Sequence, residues 1–232
     1  MEDGKKSKIH TLYKAIIVIL VYFIYNWFFG STLKSLFNID YYANWPLMLI
    51  SDLLFLIFCV YAYNDDIEDD TKTFKENIKE NILTILKYIG LVYAFTIGIS
   101  IISTIMEKAL NVTFELSNNA AITKLNPIYM IFKTLVFTTI AETIVYHKTI
   151  KSVTQDNKLL YIIIACLFNG LMNIIYQPIN DWTAIYILLV YMIRMTPICL
   201  LYNKKNNIIM LMFVSLICNA ITLLITFIGG GA

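Results

Sequence analysis

The feature that most constrains this chain is a series of about seven apolar runs, each close to the ~20 residues that a helix needs to cross a bilayer. The runs cover 14–30, 45–63, 82–106, 127–147, 158–176, 182–202 and 207–228. Backbone polar groups in lipid must be satisfied within the chain, so runs of this length fold as helices. The sequence therefore predicts an all-α, polytopic integral membrane protein, built as a bundle of about seven transmembrane helices.

Composition supports a membrane protein and argues against one that binds nucleic acid. Hydrophobic residues make up 59% of the 232 residues, and charged residues only 15%, whereas soluble domains carry roughly 25% charged residues. The formal net charge of +2 is too small to favour nucleic acid as a partner. The cysteines lie inside the apolar runs without a Cys-x-x-Cys spacing, so we interpret them as small core residues and expect no metal site and no cofactor.

The lysines predict an orientation, because Lys and Arg concentrate on the cytoplasmic side of short loops. One side of the predicted topology carries Lys5, Lys6, Lys8, Lys14, Lys72, Lys75, Lys79, Lys148, Lys151, Lys158, Lys204 and Lys205. The other side carries only Lys34, Lys108 and Lys124. No small-residue cleavage site follows the first apolar run, so we expect that helix to remain. The prediction is a multi-pass protein of the cell membrane, surrounded by lipid, with a cytoplasmic N-terminus.

A strongly polar joint separates the second and third runs. It reads Asn64-Asp-Asp-Ile-Glu-Asp-Asp70 and continues into three lysines. We interpret it as a solvated loop that leads into the start of an amphipathic helix. An acidic metal-binding loop is less favoured, because the joint lacks the glycine and the alternating ligands of an EF-hand.

The run 127–147 contains one carboxylate, Glu142. A carboxylate in hydrocarbon costs about 2.5–3.5 kcal/mol on insertion scales, so it normally faces the bundle interior or a partner and indicates function. The alternative is that Glu142 lies near the helix end and reaches the interface. Arg194 lies deep in the sixth run at a comparable height, so we expect a Glu142–Arg194 ion pair. Lys87 and Lys133 are expected to extend to the headgroups.

The stretch Ile140-Ala-Glu142-Thr143-Ile-Val-Tyr-His147, preceded by Asn118-Asn119, resembles the first motif of the CAAX protease and bacteriocin-processing family, also called the Abi family. These are glutamate-dependent intramembrane proteases. Their first motif reads Glu-Glu-x-x-x-Arg, and Glu142 occupies its first position. Thr143 stands in place of the second glutamate, and His147 in place of the arginine.

The later motifs of the family are present in position but altered in residue type. In the Phe-x-x-x-His motif, Asn169 occupies the phenylalanine position and Asn173 the histidine position. A register one residue earlier restores the phenylalanine as Phe168 but places Met172 at the histidine position. For the His-x-x-x-Asn motif, Asn219 stands in place of the histidine. The resemblance covers the chain from about residue 115, and we divide the protein into N-terminal helices over 1–110 and a family-like core over 111–232.

These substitutions weaken the expected chemistry. Peptide hydrolysis needs a base for water, a donor to the oxyanion and a proton donor for the leaving amine. Glu142 could act as the base, and an asparagine amide could donate to the oxyanion, but asparagine cannot relay a proton as histidine does. His147 is expected to be an interfacial, solvated histidine rather than a catalyst. Glu142 with amide neighbours is also a poor set of zinc ligands.

Asn169 and Asn173 are spaced i, i+4 and share a helix face, and Asn219 would face them if the family bundle holds. Such residues often make only structural hydrogen bonds between helices. The functional hypothesis is a polar cavity lined by these residues together with Glu142, Thr143 and Arg194.

The resemblance implies a degenerate, non-catalytic member that binds a hydrophobic peptide or a partner membrane protein, as in bacteriocin immunity or as a regulatory subunit. The alternative is an active glutamate-dependent intramembrane endopeptidase. A third possibility, a transporter or channel subunit, predicts broken helices at paired positions of two similar halves, and the sequence has no such repeat.

Overall fold

The computed structural model describes residues 2–41, 44–111, 126–155, 157–174 and 183–228, and this part of the chain is helical without a strand. The α-helices are α1 (Glu2–Phe23), α2 (Phe29–Phe37), α3 (Trp45–Ala62), α4 (Asn64–Glu76), α5 (Ile78–Leu110), α6 (Pro127–Phe132), α7 (Ile150–Val153), α8 (Lys158–Ile174), α9 (Thr183–Lys205) and α10 (Ile208–Ile228). A π-helical turn, Ile24–Phe28, joins α1 to α2. The Asn118-Asn119 stretch lies outside the described residues.

Six helical stretches in the described part are long and apolar enough to cross a membrane. They are Ile9–Phe37, Trp45–Ala62, Ile78–Leu110, Pro127–Val153, Thr183–Lys205 and Ile208–Ile228. The seventh apolar helix, α8, has 17 residues and rises about 26 Å, slightly less than the ~30 Å hydrocarbon core. The prediction of an all-α membrane bundle of about seven helices is confirmed.

Pro127–Val153 lies at the centre of the bundle, and we call it the central span. It packs against α1, α3 and α10 and, near its end, against α8. Asn126 caps its start by accepting a hydrogen bond from the N–H of Ile128 at 2.9 Å, and Pro127 occupies the first turn, where no N–H is needed. Three side chains at its middle, Phe137, Ala141 and Ile144, are fully buried.

The central span is wound more widely than an α-helix. Backbone hydrogen bonds follow the π pattern over Lys133–Glu142 and Ile144–Thr149. An α-helix has 3.6 residues per turn, so two residues nine apart lie on opposite faces. Bonding from i to i+5 instead gives between about four and five residues per turn. The side chains of Lys133 and Glu142 therefore lie on the same face, two turns apart.

The sequence predicted that the polar joint is a solvated loop leading into a helix start. In the structure the joint is itself a helix, α4, which follows α3 almost directly. Asp66 on α4 lies 3.2 Å from Nζ of Lys14 on α1 and 2.9 Å from Nζ of Lys148 on the central span. Burial alone would raise the pKa of Asp66, but Lys148 and Lys14 outweigh it and hold the pKa below its ordinary value. The two lysines offset the charge of Asp66, and their ion pairs hold α4 against α1 and the central span.

α4 also holds the start of α10. Oδ2 of Asp70 accepts a hydrogen bond from the N–H of Ile208 at 2.7 Å, and the backbone oxygen of Asp70 accepts one from Nδ2 of Asn207, also at 2.7 Å. Burial raises the pKa of Asp70, and the hydrogen bond from Ile208 opposes that rise. These contacts place α4, the first part of α1, the end of the central span and the start of α10 at one end of the bundle, so the lysine-rich segments share a side.

Candidate functional site

A buried carboxylate, Asp52 on α3, is the centre of a polar cluster in the middle of the bundle. Asp52 is fully buried. Its Oδ1 accepts hydrogen bonds from Nζ of Lys133 at 3.0 Å and from the hydroxyl of Tyr25, and its Oδ2 accepts one from the hydroxyl of Tyr129 at 2.8 Å. A buried charge is tolerated when it is paired and hydrogen-bonded, and Asp52 meets both conditions.

Lys133 joins α3 to the central span. Its ammonium lies 3.0 Å from Asp52 and 3.5 Å from the centroid of the Phe137 ring. The side chain keeps 29% of its surface exposed. The expectation that Lys133 extends to the headgroups is therefore wrong, because its charge is directed at a carboxylate and an aromatic face instead.

Glu142 lies beside this cluster. It is close enough to Lys133, Asp52 and Tyr129 to interact with them electrostatically, and the side chain of Thr138 lies beside it. Glu142 is not fully buried, and part of its surface remains accessible. We call Asp52, Lys133, Glu142, Tyr25 and Tyr129 the polar centre.

The expected Glu142–Arg194 ion pair is absent from the described part of the chain. Glu142 lies near Lys133 and Asp52, and Nε of Arg194 is buried without a hydrogen-bond partner. The prediction failed because it matched two charges by height alone. The sequence offers a nearer cation, Lys133, which the π winding brings to the face of Glu142.

His147 is buried rather than interfacial. Only 1% of its surface is exposed, and its Nδ1 lies 2.6 Å from the hydroxyl of Tyr161 on α8. The rings of Tyr161 and Tyr202 also pack against it, with centroids 6.3 and 6.0 Å away. His147 therefore contributes to the packing of the central span, α8 and α9.

The asparagines do not converge in a single hydrogen-bonded site within the described residues. Nδ2 of Asn173 donates to the backbone oxygen of Asn169 at 2.8 Å, within α8. Nδ2 of Asn219 donates instead to the central span, to the backbone oxygen of Thr134 at 3.1 Å and to Oγ1 of Thr139 at 3.4 Å. Asn219 therefore links α10 to the central span, while Asn169 and Asn173 bond along their own helix.

Thr143, at the family's second glutamate position, is also used locally. It is buried, with 4% of its surface exposed, and its Oγ1 donates to the backbone oxygen of Thr138 at 3.5 Å. Thr149 bonds the backbone oxygen of Ile144 in the same way, five residues back. Both threonine hydroxyls follow the wide turns of the central span.

The chemistry open to this arrangement is limited. Both oxygens of Asp52 are occupied by donors, so it is poorly placed to take a proton from water. Glu142 is partly accessible, but His147 is bonded to Tyr161. Among the described residues, no three His, Cys, Asp or Glu side chains lie close enough together to hold a metal ion. The polar centre is suited to binding and orienting polar groups between helices.

Asp52 is the residue that the sequence reasoning missed, although a signal was present. It is the only charged residue in the run 45–63, just as Lys133 is the only lysine in the run 127–147. A carboxylate and an ammonium, each alone in an apolar run, are candidates for a buried pair. The orienting hydroxyls of Tyr25 and Tyr129 had no comparable signal, because tyrosine is frequent in this chain.

Comparison with known proteins gives no identification: no protein-family profile, curated protein or solved structure is detectably similar to this chain.

Proposed function

We propose that this chain is a non-catalytic multi-pass protein of the cell membrane that binds a hydrophobic peptide or a transmembrane helix of a partner protein. In the terms of the CAAX protease and bacteriocin-processing family that it resembles, it is a degenerate member, with a role in bacteriocin immunity or as a regulatory subunit. The N-terminus is assigned to the cytoplasm because the end of the bundle that carries Lys14, Lys148 and α4 is the lysine-rich one.

One observation carries the proposal: the four family positions are engaged separately. Glu142 lies beside Asp52 and Lys133, and His147 is bonded to Tyr161. Asn173 and Asn219 have different partners on different helices. A hydrolase needs its base and its proton donor on the same substrate atoms, whereas a binding site needs only polar groups with accessible surface, and Glu142 is partly accessible.

The test is affinity purification from mildly solubilised membranes, with intact-mass analysis of the peptides and proteins that copurify. Wild type is compared with Glu142→Gln, which replaces the carboxyl group by an amide of nearly the same size. Glu76→Gln is the matched control, because Glu76 is an exposed carboxylate at the end of α4.

We expect the same full-length peptide or protein with wild type and Glu76→Gln, and no shortened product with any variant. Reduced recovery with Glu142→Gln would locate the contact at the polar centre. Shortened products found only with wild type, or a full-length protein trapped only by Glu142→Gln, would overturn the proposal and establish the endopeptidase.

A further inference from the structure

Two of the four cysteines lie against each other between α8 and α9. Sγ of Cys166 is 3.6 Å from Sγ of Cys199. Both side chains are buried, with 3% and 0% of their surfaces exposed. Cys59 and Cys218 are free cysteines without a cysteine partner in the described part of the chain. From this geometry we propose that Cys166 and Cys199 are a modification site, at which a reversible disulfide locks α8 to α9.

The helices approach closely enough for such a bond. One turn after Cys166, Gly170 faces α9, and a Cβ placed there would lie 2.6 Å from Cδ1 of Leu188 and 3.2 Å from its backbone oxygen. A glycine at this position favours a close approach of the two helices. A disulfide joins Cα atoms about 4.4–6.8 Å apart, and facing Cα atoms of helices at an axial distance of about 8–10 Å reach this separation, because each lies about 2.3 Å from its helix axis.

The sulfurs need only a small movement to bond. A gap of 3.6 Å must shorten to ~2.05 Å, a change within the range of small χ1 adjustments of both residues. Oγ1 of Thr196, 3.8 Å from Sγ of Cys166, is the other polar atom beside the pair.

The oxidant is a small, uncharged peroxide, which can enter an apolar interface that excludes larger or charged oxidants. In the first step one thiol loses its proton and the thiolate attacks hydrogen peroxide; the O–O bond breaks, a sulfenic acid forms, and the departing hydroxide takes up that proton to become water. In the second step the other sulfur attacks the sulfenic sulfur, the S–O bond breaks, and water leaves with the remaining proton. The two thiols together lose two electrons, and the peroxide is reduced to two molecules of water.

The disulfide would close a loop that contains the connection between α8 and α9. Cross-linking removes conformational freedom from the unfolded chain, and the effect grows with loop length. The oxidised form is therefore expected to unfold several degrees above the reduced form. The site is independent of the proposed binding function, since neither cysteine belongs to the polar centre.

The experiment treats the purified, folded protein with hydrogen peroxide, denatures it, and counts free thiols by maleimide labelling and intact mass. Wild type should fall from four labelled cysteines to two with a loss of about 2 Da, and dithiothreitol should restore all four. Peptide mapping should find the bridge between residues 166 and 199. The unfolding temperature is measured for both forms.

Two variants make the test specific. Cys59→Ala/Cys218→Ala retains the pair and should still form the bridge, whereas Cys166→Ala should keep its three remaining thiols. If Cys166→Ala fails to fold, the first variant and the peptide map still decide the outcome. Four free thiols in folded wild type, under peroxide that oxidises free dithiothreitol, would overturn the proposal, as would a bridge that maps to Cys59 or Cys218.

Discussion

Replacing Asp52 by asparagine is the most direct test of the polar centre. Asp52→Asn keeps the size of the side chain but removes the charge that Lys133 requires. It also replaces one of the two accepting oxygens by an NH₂ group, which is a donor, so that it faces either the hydroxyl of Tyr129 or the hydroxyl of Tyr25 and the ammonium of Lys133. At least one donor is then left without an acceptor in a buried site.

The size of the effect follows from these contacts. Breaking a buried ion pair by removing one partner costs about 3–5 kcal/mol, and Lys133 reduces this cost because it is 29% exposed and can turn toward polar surroundings. We therefore expect a loss of about 3 kcal/mol in the free energy of unfolding. For a chain of this size, about 1 kcal/mol shifts the unfolding temperature by roughly 2–4 °C, so the expected decrease is about 6–12 °C.

The assay is thermal unfolding in detergent, followed by intrinsic fluorescence, for Asp52→Asn, Lys133→Met and the double variant. Because Asp52 and Lys133 are in contact, the double variant should lose less stability than the sum of the single variants. A decrease below about 1 °C for Asp52→Asn, or strict additivity in the double variant, would refute the buried pair.

Three further changes test other parts of the fold by the same measurement. Asp66→Asn should lower the unfolding temperature by about 2–4 °C at pH 7, because it removes partly exposed pairs together worth about 1 kcal/mol. The pKa of Asp66 lies below its ordinary value of 3.8, so Asp66 stabilises the fold above pH 3.8, and this stability is lost as the pH falls through the lowered pKa. A difference in unfolding temperature between wild type and Asp66→Asn that persists below this pKa would contradict the pairing. Gly170→Ala should destabilise the fold by about 1–3 kcal/mol, because the added Cβ would overlap Leu188. In the control Gly90→Ala, the added Cβ would meet no atom within 4 Å, so the unfolding temperature should stay unchanged or rise. Asn219→Ala removes the link to the central span and should cost about 0.6 kcal/mol; a larger decrease than that of Gly170→Ala would show that the asparagine does more than join two helices.

The candidate site was only partly predictable from the sequence. Glu142 stood out as a carboxylate in an apolar run, and it does lie inside the bundle beside other charged groups. Its partner was predicted wrongly, because Glu142 was paired with Arg194 by their height in the membrane alone. The π winding of Lys133–Glu142 changes which side chains share a face, and a hydrophobic run has no period that would reveal it.

The sequence by itself determined the all-α membrane architecture, because long apolar runs have no other way to satisfy their backbone in lipid. The lysines also predicted that the first part of α1, α4 and the end of the central span lie on one side, and these segments do meet at one end of the bundle. Only the tertiary structure decided what the isolated polar residues do. Asp52 and Lys133 lie far apart in the chain and become partners only when α3 packs against the central span, and His147 is buried because α8 covers it with Tyr161. Hydrophobic length is a local property of the sequence, whereas the partner of a buried charge depends on how helices pack, which no single run of residues contains.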